Sequence, residues 1–206
     1  MEDVFGSVAQ QLELSSYAMV ENFINKDLAI GLYNEITSLI NEDELREAAI
    51  GRGVQSDVIK SIRKDEIKWI NQDNDSPVVV ELLSTINSMG AFLGNYFRVS
   101  IKRYEGHWAH YPPGAFYKKH VDQFQETSNR IFSIILYLNP NWQEKDGGEL
   151  IIYLENEEVV KIKPTLGSLV CFRSDVLFHE VLPTQKSRYS VTGWYRNDEL
   201  LPLTIA

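Results

Sequence analysis

Four histidines occur in the 206-residue chain, and two of them stand where a metal-binding pattern needs them. His120 and Asp122 sit two apart in Lys118-Lys119-His120-Val121-Asp122. On an extended strand, residues two apart share a face, so an imidazole and a carboxylate converge on one point. His179 ends the segment Leu177-Phe178-His179, which reads as a later strand able to lie across the same sheet. Two histidines and one carboxylate form a facial triad that leaves positions open on iron, as oxygen chemistry requires. Alone, His-x-Asp is a weak pattern: an exposed histidine beside a capping aspartate gives the same letters. Arg188 strengthens it. It opens a strand on which Arg188, Ser190, Thr192 and Trp194 share a face, and a guanidinium at the head of a closed pocket suits bidentate capture of a carboxylate. By itself Arg188 would read as half of a surface ion pair. Tyr137 shares a face with Ser133 and Ile135, and its hydroxyl could reach the same carboxylate, although a hydrogen-bonded core tyrosine is the commoner fate. His107 and His110 fit neither pattern and read as strand or surface residues.

The elements that must position these groups change character along the chain. The first half reads as helical. Asp27 is a candidate cap for a helix with an apolar face of Leu28, Leu32, Ile36, Leu39 and Ile40. A short charged helix is expected over Glu42 to Ala49, ended by Gly51-Arg52-Gly53. A strand or turn follows at Ile67-Lys68-Trp69-Ile70, then a loop from Asn71 to Pro77. A long helix is expected from Val78 to Tyr96, with Pro77 in its first turn. Beyond Phe97, strand-like runs alternate with turn residues. The runs are Arg98–Tyr104, His107–Tyr111, Ile131–Leu138, Leu150–Leu154, Val159–Ile162, Ser168–Phe172 and Arg188–Tyr195. Short strands at this spacing suggest a sandwich or double-sheet barrel. The acidic Glu155–Glu158 run reads as a hairpin tip.

Length suits one domain with a full core. Unbroken apolar runs such as Ile134 to Leu138 are far short of the ~20 residues of a membrane helix, and the acidic N-terminus lacks the pattern of a secretion signal. The single cysteine, Cys171, sits in a strand-like run without an activating neighbour, which excludes an internal disulfide and argues against thiol chemistry. A cytoplasmic location is the default, with no membrane association expected. A net charge of −9 argues against a phosphate-tracking surface, so no nucleic-acid partner is expected. The local basic stretch of Lys102, Arg103, Lys118 and Lys119 reads as solvated strand edges. Gly147-Gly148 reads as a turn, and there is no glycine-rich phosphate loop.

Taken together, the motifs resemble the iron and 2-oxoglutarate oxygenases of double-stranded β-helix fold, most nearly the prolyl 4-hydroxylases of the oxygen-sensing type and their bacterial relatives. The resemblance runs from about Ile62 to Trp194. It rests on the run from Ile62 to Trp69, on Tyr111-Pro112-Pro113-Gly114, and on Tyr117-Lys118-Lys119-His120-Val121-Asp122. Tyr137-Leu138-Asn139, Gly147-Gly148-Glu149-Leu150, His179-Glu180-Val181 and Arg188-Tyr189 through Trp194-Tyr195 complete it. It departs from the family in two places: the stretch from Tyr111 to His120 is one residue shorter than in the animal oxygen sensors, and Lys64 stands where that family often has glycine.

The resemblance implies a mainly β, jelly-roll (cupin-like) core packed by N-terminal helices. Residues 1–96 would be a helical support region continuous with the core, 97–198 the double-stranded β-helix domain, and 199–206 a tail. It implies Fe(II) on His120, Asp122 and His179, 2-oxoglutarate held by Arg188 and Tyr137, O2 as co-reactant and L-ascorbate as a reductant. Tyr111, Tyr117, Leu150, Val181, Thr192 and Trp194 would surround the cosubstrate. Arg63, Asp65, Trp69, Arg130 and Trp194 would border the substrate, with Arg130 as an ion partner of Asp65 and the segment between Gly53 and Ile62 as a loop that orders on binding. The substrate would be a proline-containing protein or peptide, hydroxylated with release of succinate and CO2. A same-fold oxygenase acting on another residue or a small molecule is the alternative within enzymes, and a non-catalytic cupin-like binding module the alternative outside them.

Overall fold

A computed structural model describes residues 2–48, 61–123, 129–154 and 158–198. Three helices, α1 (Glu2–Ser15), α2 (Lys26–Asn41) and α3 (Pro77–Phe97), cover one face of a large antiparallel sheet. That sheet has the order β1-β9-β6-β11-β4-β3-β2. Its strands are β1 (Tyr17–Val20), β2 (Arg46–Glu47), β3 (Glu66–Trp69), β4 (Arg103–Tyr111), β6 (Arg130–Tyr137), β9 (Leu169–Arg173) and β11 (Arg188–Arg196). The smaller sheet, β5-β10-β7-β8, is built from β5 (Tyr117–His120), β7 (Leu150–Tyr153), β8 (Val159–Ile162) and β10 (Phe178–Val181). Two facing antiparallel sheets make the expected double-stranded β-helix.

The central strands are apolar on both faces because both are covered. On β6 and just beyond it, Phe132, Ile134, Leu136 and Leu138 join the core beneath the helices, while Ile135 and Tyr137 join the second core between the sheets. Strand β9 divides the same way, with Leu169 and Cys171 on the helix side and Val170 and Phe172 on the other. The interior face of the large sheet therefore offers every second residue to one enclosed space, and the candidate chemistry lies there.

Several expectations change in the structure. Asn25, not Asp27, caps α2: its side chain accepts from the Leu28 N–H at 2.8 Å, because Asp27 already lies inside the first turn. The described part of the expected helix from Glu42 to Ala49 is a turn followed by β2. Asp43 takes φ 55°, and Glu42 closes α2 by donating its N–H to Ser38. No strand starts at Arg98, which takes the left-handed conformation as the cap of α3. Strand β4 instead runs unbroken from Arg103 to Tyr111. Gly106 does not interrupt it, because the Tyr104 ring occupies the space a Cβ on Gly106 or on its register partner Gly193 would need. Strand β1 and helix α1 carry no clear signal in the sequence. The Gly51–Gly53 stop, the loop from Gly53 to Ile62, the tip at residues 155–157 and the tail at 199–206 fall wholly or mostly outside the described residues.

Helix α3 is long and apolar enough to cross a membrane by length and composition, although charged and polar residues break its apolar runs. Its apolar face has another use: Val79, Leu82, Leu83, Ile86, Met89 and Leu93 are buried against the large sheet. The approach is closest at Gly90, where a Cβ would lie 2.7 Å from Cε1 of the fully buried Tyr195. Tyr195 cannot retreat easily, since its hydroxyl donates to the Ile86 carbonyl of the same helix. Gly90→Ala should therefore destabilise the protein. Overpacking costs about 1–3 kcal/mol and outweighs a helix-propensity gain of about 0.5–1 kcal/mol. A lower denaturant midpoint is expected; an unchanged or raised one would show that the ring can give way.

Candidate active site

The small sheet places two imidazoles side by side. His120 ends β5 and His179 lies on β10, directly opposite in register, with ring centroids 4.2 Å apart. Asp122 follows two residues after His120. Its Oδ1 lies 3.5 Å from His120 Nε2 and 3.7 Å from His179 Nε2, and the three ligand atoms fall within 4.8 Å of one another. Among the described residues this is the only cluster of histidine, cysteine and acidic side chains arranged to hold a metal.

Each group is oriented from behind. His120 Nδ1 lies 2.7 Å from the Lys118 carbonyl and His179 Nδ1 lies 3.2 Å from the Leu177 carbonyl. Carbonyl oxygens only accept, so each Nδ1 carries the proton and each Nε2 presents a lone pair to the shared point. Tyr117 stacks on His120 at 3.7 Å, and Phe172 meets His179 edge-on. Asp122 Oδ2 accepts from Ser133 Oγ at 2.6 Å and from Trp194 Nε1 at 3.0 Å, which leaves Oδ1 facing the same point as the two Nε2 lone pairs. Ser133 also bonds Ser174 at 2.8 Å. Burial works against the Asp122 carboxylate, but His179, His120 and the Ser133 hydroxyl together hold its pKa below the usual carboxylate range. Burial pushes His179 down to about 4 against the pull of Asp122, so its ring is neutral at ordinary pH.

Deeper in the same space, Arg188 begins β11 and is 1% exposed. Its Nε donates to the Gly148 carbonyl at 2.9 Å, and its guanidinium lies between the rings of Tyr111 and Tyr137, at 4.9 and 5.0 Å. Its Nη2 and the Tyr137 hydroxyl are both buried without a hydrogen-bond partner among the described residues. Two unanswered polar groups at one buried point are costly unless a ligand completes them. A carboxylate of an elongated dicarboxylate fits that demand, while a keto acid group fits the open side of the triad. Gly148 makes room for this arrangement: at φ +65° a Cβ would lie 3.1 Å from Arg188 Cδ.

The connecting cavity, about 160 Å³, is lined by all the expected residues except Tyr137 and Asp65, which sit just behind the wall. Tyr111, Tyr117, Leu150, Val181, Thr192 and Trp194 line it, as do Arg63, Trp69 and Arg130 toward the mouth. Trp69 is half exposed there. The expected pair between Asp65 and Arg130 is absent. Asp65 is buried in a fork with Arg63, because their side chains flank a single residue, Lys64, just before β3. Arg130 lies instead 3.5 Å over the Trp194 ring and donates to the Asp122 carbonyl at 3.0 Å. His107 and His110 are strand residues, both on β4, and both are buried rather than at the surface. His107 lines the cavity, and His110 pairs with Glu66 at 2.8 Å on the outer side. Sequence reasoning missed three residues here. Ser133 leaves a trace as a lone hydroxyl inside an apolar strand. Gly148 reads only as a turn, and His107 matches no motif.

Acid should weaken the metal-free fold in a defined window. His107 and His179 are both held near pKa 4 by burial, against an ordinary 6.5. Below 6.5 the unfolded chain takes up protons that the folded chain refuses, so stability falls as pH drops from 6.5 toward 4, by about 2–3 kcal/mol per ring. Chemical denaturation of apoprotein at pH 7 and pH 4.5 measures this, and equal stabilities would contradict the burial of neutral rings.

Residues 106–196 match the family model of the 2OG-Fe(II) oxygenase superfamily. Mouse prolyl hydroxylase EGLN3 is 31% identical over 193 residues, covering 89% of this chain and 79% of the relative. The chain spans 46% of a longer curated relative. Among solved structures, a prolyl-4-hydroxylase from Pseudomonas putida superposes with a TM-score of 0.87 at 31% identity, covering 95% of this chain and 100% of that one. A prolyl hydroxylase from Trichoplax adhaerens, solved with a hypoxia inducible factor oxygen degradation domain peptide fragment, gives 0.88 at 28% identity, covering 95% and 90%. With a triad open on one side, a buried unanswered arginine and relatives of this extent, the chain belongs to the prolyl hydroxylase family of the 2OG-Fe(II) oxygenases.

Proposed function

We propose that His120, Asp122 and His179 hold Fe(II), and that Arg188 and Tyr137 hold the far carboxylate of 2-oxoglutarate in an enzyme that hydroxylates a prolyl residue of a protein or peptide. The observation that carries this is the pairing, in one cavity, of three convergent ligand atoms with the unpartnered Arg188 Nη2 and Tyr137 hydroxyl. As a member of its family the enzyme uses Fe(II), 2-oxoglutarate and O2. When bound, these supply the oxidising chemistry: one oxygen atom leaves in succinate as CO2 is released, and the other enters the substrate as hydroxyl.

The chain's own contribution is geometry and exclusion of water. The Lys118 and Leu177 carbonyls fix both tautomers, and Ser133 and Trp194 aim Asp122. Tyr111 and Tyr137 shield the arginine, while Leu150, Val181 and Thr192 complete the cosubstrate wall. At the mouth, Trp69 and Trp194 offer indole faces to a pyrrolidine ring, beside the Arg63–Asp65 fork and Arg130. Proline suits such a surface because it is already stiff, so ordering it costs less entropy. On this reading residues 97–198 form the catalytic domain, and residues 1–96 support it and supply part of its entrance. The reading extends to a cytoplasmic enzyme, in keeping with its single free and buried cysteine, and to a reductant such as L-ascorbate, which rests on the family resemblance alone.

Asp122→Ala should abolish Fe(II) retention or turnover, as followed by metal analysis and succinate release; full activity without added carboxylate would refute the ligand set. Arg188→Ala should weaken 2-oxoglutarate by roughly 3–5 kcal/mol, as expected for a broken buried ion pair. Tyr137→Phe should weaken it by about 0.5–3 kcal/mol. Unchanged 2-oxoglutarate affinity in Arg188→Ala would point to another anchor. Trp69→Ala should impair peptide hydroxylation far more than peptide-free conversion of 2-oxoglutarate. Equal losses would make Trp69 a packing residue. Mass spectrometry of hydroxylated product should place the added oxygen on proline, and its appearance on another residue would end the prolyl reading while sparing the oxygenase.

A further inference from the structure

The aromatic wall at the cavity mouth contains one polar ring with an unanswered nitrogen. His107 lies between Trp69 and Trp194, with ring centroids 5.1 and 5.5 Å away, and it is 4% exposed. It lines the same cavity as the triad without belonging to the ligand cluster. Its Nδ1 is buried and has no hydrogen-bond partner among the described residues. The other polar groups of this wall are already engaged. Arg63 is forked to Asp65, Arg130 stacks on Trp194 and donates to the Asp122 carbonyl, and the Thr192 hydroxyl lies 3.3 Å from that of Ser190. Trp194 uses its indole N–H on Asp122.

An apolar ring would fill the gap between the two indoles without leaving a polar atom unsatisfied. An imidazole kept there unpaired is costly, and such sites are completed when a ligand supplies the missing partner. Burial, aided by Arg63 and Arg130 and opposed by Asp65 and Asp122, holds the ring down to about pKa 4. It is therefore neutral, with one nitrogen to donate and one to accept, which matches an uncharged amide and not a carboxylate. In register His107 faces Trp69 on β3 and Thr192 on β11, midway between the mouth and the residues that aim Asp122.

We infer that His107 is a specificity-determining residue whose imidazole hydrogen-bonds a backbone amide of the substrate chain beside the residue being hydroxylated. The inference rests on the prolyl hydroxylase reading above. It assigns to this wall a preference for a polypeptide over a free apolar molecule of similar ring size, because only the polypeptide brings the amide.

The test uses Fe(II)-loaded enzyme with 2-oxoglutarate and two kinds of probe. One is the hypoxia inducible factor oxygen degradation domain peptide; the other is a set of end-blocked proline peptides in which single backbone amides around the proline are replaced by esters. His107→Phe keeps a ring between the indoles and removes both nitrogens, while His107→Gln keeps the ability to hydrogen-bond. In His107→Phe the peptide KM should rise about tenfold, more than kcat or the KM for 2-oxoglutarate changes, and His107→Gln should recover part of the loss. One ester peptide should bind more weakly to the wild type but not to His107→Phe. An unchanged peptide KM in His107→Phe, or ester effects that persist in that variant, overturns the assignment and leaves the prolyl reading standing. A parallel loss in all constants without rescue by glutamine also overturns it, since packing alone would do that. If the wild type hydroxylates none of the probes, the prolyl reading and this inference fall together.

Discussion

A carboxylate enclosed between two sheets is expensive unless its charge is answered, and much of this molecule is arranged to answer that of Asp122. Ser133 donates to it from β6 and Trp194 from β11, while two imidazoles on β5 and β10 aim their bare Nε2 atoms at the point its free oxygen faces. These contacts come from both sheets, so the position of one side chain records the register of four strands. A slip of one residue in β6 or β11 would turn Ser133 or Trp194 to the opposite face and leave the charge unsupported. The helices matter to the site for the same reason. By covering the outer face of the large sheet they allow its strands to be apolar on that side, which fixes which residues turn inward.

Legibility in the sequence follows the range of the interaction that sets each feature. The long helix with proline in its first turn and the apolar strands from Ile131 onward rest on local pattern, and the structure has them within a few residues. The short elements at Tyr17 and Arg46 exist because β9 and β3 pair with them, which no local pattern announces. Where two local signals compete, the closer geometry decides: Asn25 takes the cap because Asp27 already lies within the helix.

The site divides along the same line. His120, Asp122, His179 and Arg188 come together as their spacing suggests, since strand periodicity and a few fixed residue types were enough to group them. Asp65 shows the limit. The resemblance points across the chain to Arg130, whereas the fork forms with Arg63, only two residues back. His107 shows another: a histidine in a strand looks the same whether it faces solvent or two indoles, and only the pairing of β4 with β3 and β11 decides between them.

Arg188 is held by a carbonyl dipole and two ring faces, with no acidic partner among the described residues. The interior therefore keeps a positive charge that no described acidic side chain neutralises. Any anion that completes it binds the folded chain and not the unfolded one, and so shifts the folding equilibrium by mass action. On the proposed reading that anion is the dicarboxylate cosubstrate, and the fold would then be firmer when it is plentiful than when it is scarce.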